Sequence, residues 1–226
     1  MRFLLLILTL SIILESCKKE IQQSEAPFLD NKYFPINIGS SISYQIMEVN
    51  IDELSSVNDT ILYQIMEKID TIIENTKSYK TYRLERYFRT DSTKNWNILN
   101  VWQIRKYANR IHKIEDNIEY IRLLTPVRSN QEWDGNSYNN YDSQEYKTLS
   151  TKNIVINYKN HNCITVIHQD KISLIDKIFS EEQYSENIGL TKKTLIDVEL
   201  NIDPNLPWEE KITKGTIYYQ NYIDSK

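Results

Sequence analysis

Side chains of the types that bind metal ions cluster at one place in this sequence, between positions 161 and 170. They are His161, Cys163, His168 and Asp170. Residues two apart on a β-strand share a face, so His161 and Cys163 would lie on one face. His168 and Asp170 would lie on the opposite face unless a bulge intervenes. This alternation argues against a single metal site, and we expect these histidines to lie in turns or at the surface.

Adjacent acidic residues occur at Glu181-Glu182 and at Glu209-Glu210, and acid pairs can hydrolyse glycosides. That chemistry needs two carboxylates about 5 to 9.5 Å apart across a cleft, whereas neighbours on a strand point to opposite faces. We therefore expect both pairs to be solvated. No two of the 4 glycines are two apart, so a GxG dinucleotide-binding turn is absent, as are GxSxG and a Walker phosphate loop. The sequence predicts no catalytic residue, no metal site and no cofactor.

Aromatic and basic side chains alternate between positions 79 and 107. Tyr82, Arg86 and Trp102 belong to this stretch, and such mixtures stack on sugars or bind peptides and lipid head groups. The alternative is the solvent-exposed face of an antiparallel sheet, which has the same mixture of aromatic and basic residues. We name these three residues as one part of a candidate binding surface.

Composition excludes several classes of protein. The 226 residues carry a net charge of −4, and 40% are hydrophobic, which is not a disordered composition. A mildly acidic chain without basic runs argues against binding to nucleic acid. With 2 cysteines, neither a four-cysteine zinc site nor a disulfide framework can form.

The N-terminus has the pattern of an export signal. Arg2 precedes twelve mostly apolar residues, 3–14, a run that suits a signal peptide and is too short to span a bilayer. The run ends in Leu14-Glu15-Ser16-Cys17, which resembles a bacterial lipobox, with Glu15 an unusual second residue. The resemblance implies cleavage after residue 16 and acylation of Cys17. The alternative is a plain secretory signal followed by an accidental cysteine.

The predicted organisation has three parts. Residues 1–16 form a lipoprotein signal peptide, residues 17–30 a lipidated cysteine with a flexible tether, and residues 31–226 a single β-rich domain. Acyl chains on Cys17 would anchor the protein in the cell envelope, in the outer membrane, on its periplasmic face or at the cell surface. Acylation leaves Cys163 without a partner in the chain, and we expect it to be buried in the core.

The apolar pattern beyond residue 31 has mostly a period of two. Ile42, Tyr44 and Ile46 alternate with polar residues, and similar runs rich in Ile, Tyr, Thr and Val recur every 10–15 residues. Asn and Asp separate the runs and tolerate the positive φ angles of tight turns. This predicts an all-β, mainly antiparallel meander, either one strongly curved sheet forming an open barrel or a two-sheet sandwich. Residues 66–75 fit either a helix or part of a long strand, and we favour the strand.

Three stretches resemble an uncharacterised family of Bacteroidota cell-envelope lipoproteins. Residues 33–45 (YFPINIGSSISYQ) are similar to its YFPLxxGNxWxYQ opening, with Ile42 in place of the usual Trp. Residues 126–139 (PVRSNQEWDGNSYN) resemble its PVKxGxxWDGNxYN segment, with Asn130 in place of a common Gly. Residues 184–190 (YSENIGL) match its NIGL segment. The resemblance implies an envelope lipoprotein with a β-rich fold, and it implies nothing about chemistry.

The WDGNxYN segment has two interpretations. Trp133, Asp134, Asn136 and Asn139 could line a ligand site, or they could clamp a loop to the sheet, in which case the Trp133 N–H needs a partner. Our leading hypothesis is a non-catalytic envelope protein that binds a ligand or a partner protein through one face of its curved sheet. A lipid carrier of this kind would show a continuous apolar hollow. The alternatives are a structural subunit of an envelope assembly and a glycan or lipid hydrolase.

Overall fold

The computed structural model describes residues 32–226, and these fold into one thirteen-stranded antiparallel sheet. The lipobox, Cys17 and the tether lie outside the described residues. The strands are β1 (Ser41–Asp52), β2 (Val57–Asn75), β3 (Tyr79–Arg89), β4 (Asn97–Tyr107), β5 (Arg110–Glu115), β6 (Ile118–Leu124), β7 (Glu132–Asp134), β8 (Glu145–Thr148), β9 (Lys152–Ile156), β10 (Lys159–Ile172), β11 (Asp176–Ser185), β12 (Gly189–Leu200) and β13 (Ile212–Ser225).

The strand order places the first and last strands side by side. It runs β6-β5-β4-β3-β2-β1-β13-β12-β11-β10-β8-β7, and β9 pairs with β10 off this path. Two meanders therefore meet where β1 pairs with β13, from Ile42 opposite Ser225 to Asp52 opposite Lys214. This leaves β6 and β7 as the two outer strands of the main path.

The outer strands approach one another, so the sheet curls into a nearly closed barrel. The Ile121 N–H of β6 donates to the Gly135 carbonyl at 3.0 Å, and the Trp133 indole N–H of β7 donates to the Ile121 carbonyl at 2.9 Å. A sheet of this many strands must curl, split or close, and here it curls. The predicted all-β fold with one strongly curved antiparallel sheet is confirmed, and the sandwich alternative is not adopted.

The segment that fits either a helix or a strand is a strand. Residues 66–75 continue β2, whose β-branched residues pair with β3 up to Asn75 opposite Lys80. A turn lies between Ile172, where β10 ends, and Asp176, where β11 begins. Turns use the expected polar residues: Asp116, Asn117, Asn130 and Asn187 all have positive φ angles.

Apolar side chains form two clusters on opposite faces of the sheet. The larger lies inside the barrel and includes Tyr44, Ile46 and Ile164, each at most 1% exposed. The smaller lies outside β12 and β13, where Ile196 and Ile217 pack beneath Trp208. Cys163 is buried, as predicted.

Helix is scarce in the part of the chain that the structure describes. It consists of one four-residue 3-10 helix, Trp208–Lys211, just before β13. Between residues 32 and 226 no helix is long and apolar enough to cross a bilayer.

Candidate functional site

Seven charged side chains project into the barrel and form what we term the inner charged cluster. None is more than 15% exposed. Charges are rarely buried to this degree unless they are paired, because removing an ion from water costs several kcal/mol. The cluster comprises the carboxylates Glu67, Glu115 and Glu182 and the cations Arg86, Lys113, Arg122 and Lys193.

Strand alternation places these charges inside. Glu67 lies on the same face of β2 as the buried Ile65 and Ile69. It pairs directly with Arg86 on β3, so the two side chains share the inner face. Lys113 pairs with the buried Ile104 in the same way. The charges therefore take inward positions among apolar residues, and β5 supplies two of them, Lys113 and Glu115.

The first half of the cluster is centred on Glu67. Its carboxylate accepts from Arg86 Nε at 3.1 Å and from Lys113 Nζ at 3.0 Å. The second contact crosses the barrel from β5 to β2, with two strands between them in the sheet. The Arg86 guanidinium also lies 3.5 Å from the Trp102 ring centroid, and Lys113 lies 4.7 Å from it. These contacts fix two cations over one aromatic face.

The second half is centred on Glu182. It contacts Lys193 at 3.1 Å and Arg122 at 4.0 Å, and it accepts a hydrogen bond of 2.5 Å from the Tyr184 hydroxyl. Arg122 also pairs with Glu115 at 2.9 Å. The Arg122–Glu182 contact again crosses the barrel, from β6 to β11.

The cations keep the buried acids ionised. Burial alone would raise the pKa of Glu115, but Arg122, Lys193 and Lys113 outweigh it and lower that pKa to about 2. The pKa of Glu182 is likewise held well below its usual value, because Arg122 and Lys193 outweigh the effect of burial. Both carboxylates are therefore negatively charged throughout the physiological range.

His168 is a buried, neutral neighbour of this cluster. Burial lowers its pKa to about 3, although Glu182 acts in the opposite direction. Its ring stacks on Tyr146 at 4.1 Å between centroids, and its Nδ1 lies 3.2 Å from the Ser180 hydroxyl. Its Nε2 has no hydrogen-bond partner among the described residues.

The inner charged cluster surrounds space that side chains do not fill. One cavity of about 220 Å³ lies between Trp102, Lys113 and Tyr218. A second, of about 390 Å³, lies between Arg122, Tyr146 and the strand β12. Glu115, Lys193 and Leu195 line both cavities, so the two are neighbours, and the second reaches Phe179 and Ile196 of the outer cluster and is open to solvent.

The opposite end of the barrel is closed, and Glu67, Lys113 and Glu182 of the inner charged cluster reach the small cavity there. The segment 32–40 covers it, with Asn187 N–H donating to the Lys32 carbonyl at 2.6 Å and Gly39 N–H to the Ile69 carbonyl at 2.8 Å. Phe34 and Pro35 line a residual cavity of only about 50 Å³ there. The expected hollow of a lipid carrier does not occur at this end, because the segment 32–40 fills it.

The structure divides the seven predicted binding residues into two groups. Tyr82, Arg86 and Trp102 lie inside the barrel, and two of them line the smaller cavity. The other four lie in β7 (Trp133 and Asp134) and in the loop between β7 and β8 (Asn136 and Asn139).

The residues of that segment make hydrogen bonds within the chain. The Asp134 carboxylate accepts from the backbone N–H groups of Asn136 and Gln144, each at 2.9 Å. The Asn136 amide donates to the Asp142 carbonyl at 2.7 Å, and the Asn139 amide donates to the Glu119 carbonyl at 2.9 Å. The four predicted residues, including Trp133, thus tie the loop and β7 to β6.

The four residues of types that bind metal ions, His161, Cys163, His168 and Asp170, do not come together in the structure. The register of β10 against β11 shifts between Ile167 and Gln169. This shift is a β-bulge, the one irregularity that would change the predicted alternation of faces along the strand. His168 lies inside the barrel, whereas Asp170 pairs with Phe179 of the outer cluster. Among residues 32–226 no group of three or more His, Cys, Asp or Glu side chains is placed to hold a metal ion. The expectation of turn or surface positions is wrong for His168, which is 4% exposed.

Sequence analysis missed most of the inner charged cluster. Glu182 was expected in a solvated pair, yet it is 3% exposed, while Glu181 points outward to Lys192. The available signal was the phase of alternation: Glu67 is in phase with Ile65 and Ile69. Sequence alone could not show that these separate strands face each other across a barrel.

Comparisons with known proteins give likenesses to solved structures. No family model matches the chain, and no curated protein matches it. The chain is similar to a Bacteroides fragilis protein described as exported and as having a YmcC-like fold, and to a Parabacteroides distasonis protein described as a lipoprotein. Each likeness has 11% identity and a TM-score of 0.48, and covers 87% of this chain and 99% of the other. Neither description names a ligand, a substrate or a partner.

Proposed function

We propose that this protein is a lipid-anchored protein of the cell envelope that binds a small organic anion inside its barrel and catalyses no reaction. The observation that supports this is the inner charged cluster, which surrounds two unfilled cavities within the barrel. Concave, partly apolar pockets with a few fixed polar groups are the usual form of a small-molecule site.

The charge balance favours an anion. Four cations face three carboxylates in the cluster, so the cluster carries one net positive charge while His168 is neutral. Lys193 lines both cavities, and among residues 32–226 it forms one salt bridge, with Glu182 at 3.1 Å. An ammonium group has three donors, so Lys193 can also bind a carboxylate or phosphate of a ligand.

The same electrostatics support a non-catalytic role. A general acid must hold a proton near neutral pH, but Glu115 and Glu182 are ionised there because their pKa values are lowered. A histidine whose pKa is about 3 is a weak base. The charged side chains of the cluster are therefore suited to binding a ligand rather than to transferring a proton.

The anchoring part of the proposal depends on the N-terminal sequence. Cleavage after residue 16 would leave acylated Cys17, and residues 17–30 would hold the domain 31–226 at the outer membrane, on its periplasmic face or at the cell surface. Two or more acyl chains give stable anchoring where one does not.

Native mass spectrometry of the membrane-extracted lipoprotein tests the proposal. We expect an additional mass of a few hundred daltons that is lost on denaturation. We also expect inorganic phosphate or citrate, added at constant ionic strength to ligand-free protein, to raise the melting temperature.

Neighbouring lysines provide the matched variants. Lys193→Gln should abolish both effects, Lys193→Arg should retain them, and Lys192→Gln should leave them unchanged because Lys192 pairs with Glu181 on the outer face. A bare lipoprotein that responds to neither anion would overturn the proposal. So would a co-purifying protein subunit in place of a small molecule.

A further inference from the structure

A second polar cavity lies on the outer face of the barrel, where the loop after Gly135 crosses the strands β4–β6. We term it the outer pocket. It has a volume of about 510 Å³, and Gln103, Arg105, Asn117, Glu119, Asn140 and Tyr141 are among the residues that line it. It is separate from the two inner cavities, because these residues alternate with inward-facing neighbours such as Ile104.

The floor of the outer pocket is a fixed ion pair. Arg105 Nη1 donates to both carboxylate oxygens of Glu119, at 2.9 and 2.8 Å. His112 holds the same carboxylate through Nδ1 at 2.7 Å, while its Nε2 accepts from Arg110 Nε at 2.9 Å. Burial lowers the pKa of His112, so the neutral ring donates from Nδ1. These partners hold Glu119 in one orientation, with no net charge on the pair.

Three side-chain amides that are free to bind a ligand surround this ion pair. Gln103, Asn117 and Asn140 line the outer pocket, and within residues 32–226 their side chains have no hydrogen-bond partner. Each amide offers two donors and a carbonyl acceptor side by side. A vicinal pair of hydroxyl groups needs this combination, because every hydroxyl both donates and accepts.

Two tyrosines form the rim. Tyr138 and Tyr141 are 47% and 57% exposed. The Tyr138 ring is fixed edge-on against His112 at 4.7 Å, and its hydroxyl accepts from Arg110 at 2.6 Å. The backbone of Tyr141 is held by the Asn139 side chain at 2.9 Å. Exposed rings on a tethered loop offer apolar faces beside polar groups.

We propose that the outer pocket binds the hexose units of a neutral glycan. Its ion pair carries no net charge, its amides match hydroxyl groups, and its tyrosine faces match the C–H faces of a pyranose ring. A neutral glycan differs in chemistry from the anion proposed for the inner cavities, so each proposal can be tested without the other.

The test is calorimetric titration of the acylated, full mature protein with defined oligosaccharides: maltoheptaose, cellohexaose, mannohexaose and chitohexaose. The detergent must have a zwitterionic head group, because a maltoside would compete for the pocket. We expect millimolar or tighter binding of at least one oligosaccharide, and no binding of inorganic phosphate at the same site.

Variants locate the binding. Tyr141→Ala and Gln103→Ala should each weaken binding about tenfold or more. Tyr158→Ala removes a fully exposed tyrosine on the β9–β10 turn and should change nothing. Circular dichroism confirms folding of each variant. Failure of the wild type to bind all four oligosaccharides overturns the proposal, as does binding that both pocket variants retain.

Discussion

The Trp133 indole N–H donates to the Ile121 carbonyl at 2.9 Å, and the Ile121 N–H donates to Gly135 at 3.0 Å. Both backbone groups of one residue on β6 are thus satisfied by the segment that begins with β7. Unpaired groups of an edge strand would otherwise be open to other chains. This relationship closes the curved sheet without a regular strand ladder.

Trp133→Phe tests the closure. The ring remains in the core while the donor is lost, so the Ile121 carbonyl has no side-chain partner. We expect the free energy of unfolding to fall by about 1 to 3 kcal/mol, measured by urea denaturation. Tyr158→Phe, at a fully exposed position, is the control and should leave stability unchanged. Equal stability of Trp133→Phe and wild type would contradict a role in closure.

Gly135→Ala should be much more damaging than Gly39→Ala. A Cβ at position 135 would overlap the ring of Tyr146, which is 2% exposed and cannot move aside. At position 39 a Cβ meets nothing within 4 Å, although the φ angle of 88° is unfavourable for alanine. We expect losses of about 3 and about 1 kcal/mol respectively, measured by thermal unfolding. The reverse order would show that the Tyr146 contact does not limit this position.

Stability should fall with acidification before the carboxylates titrate. The pKa of His168 is about 3 in the folded protein against 6.5 as its ordinary value, so the unfolded chain takes up a proton that the folded one does not. Stability is complete above pH 6.5 and is lost as pH falls toward 3. Between pH 6.5 and 4.5 the loss is about 2 kcal/mol.

His168→Asn isolates this contribution. Urea denaturation at several pH values should show a shallower dependence for the variant between pH 6.5 and 4.5. Below pH 4.5 both proteins should lose stability further, because Glu115 has a pKa of about 2 in the fold and must be protonated in the unfolded chain. Parallel curves for variant and wild type above pH 4.5 would exclude His168 as the source.

Cys17→Ala tests the proposed anchor. Without the thiol no diacylglycerol can be attached, and signal peptidase II has no substrate. We expect the variant to retain its precursor mass and to lose labelling with a palmitate analogue, whereas Cys163→Ala should be labelled like the wild type. Labelling of the Cys17→Ala protein would refute lipidation at this residue.

The sequence by itself determined the local structure. Alternating β-branched and aromatic residues specify strands, and Asn or Asp at positions such as 117 and 130 specify turns with positive φ angles. These signals depend on neighbouring residues, so they can be read along the chain. The position of Arg86 on the apolar side of its strand was also visible, since it is in phase with Tyr82 and Leu84.

Only the tertiary structure determined which of the inward-facing charged residues contact one another. Glu67 and Lys113 lie 46 residues apart and meet because the sheet curls, bringing β5 over β2. Glu182 is buried rather than solvated because Arg122 and Lys193, from two other strands, supply its countercharge. Curvature and strand order arise from the packing of the whole sheet, and no local pattern contains them.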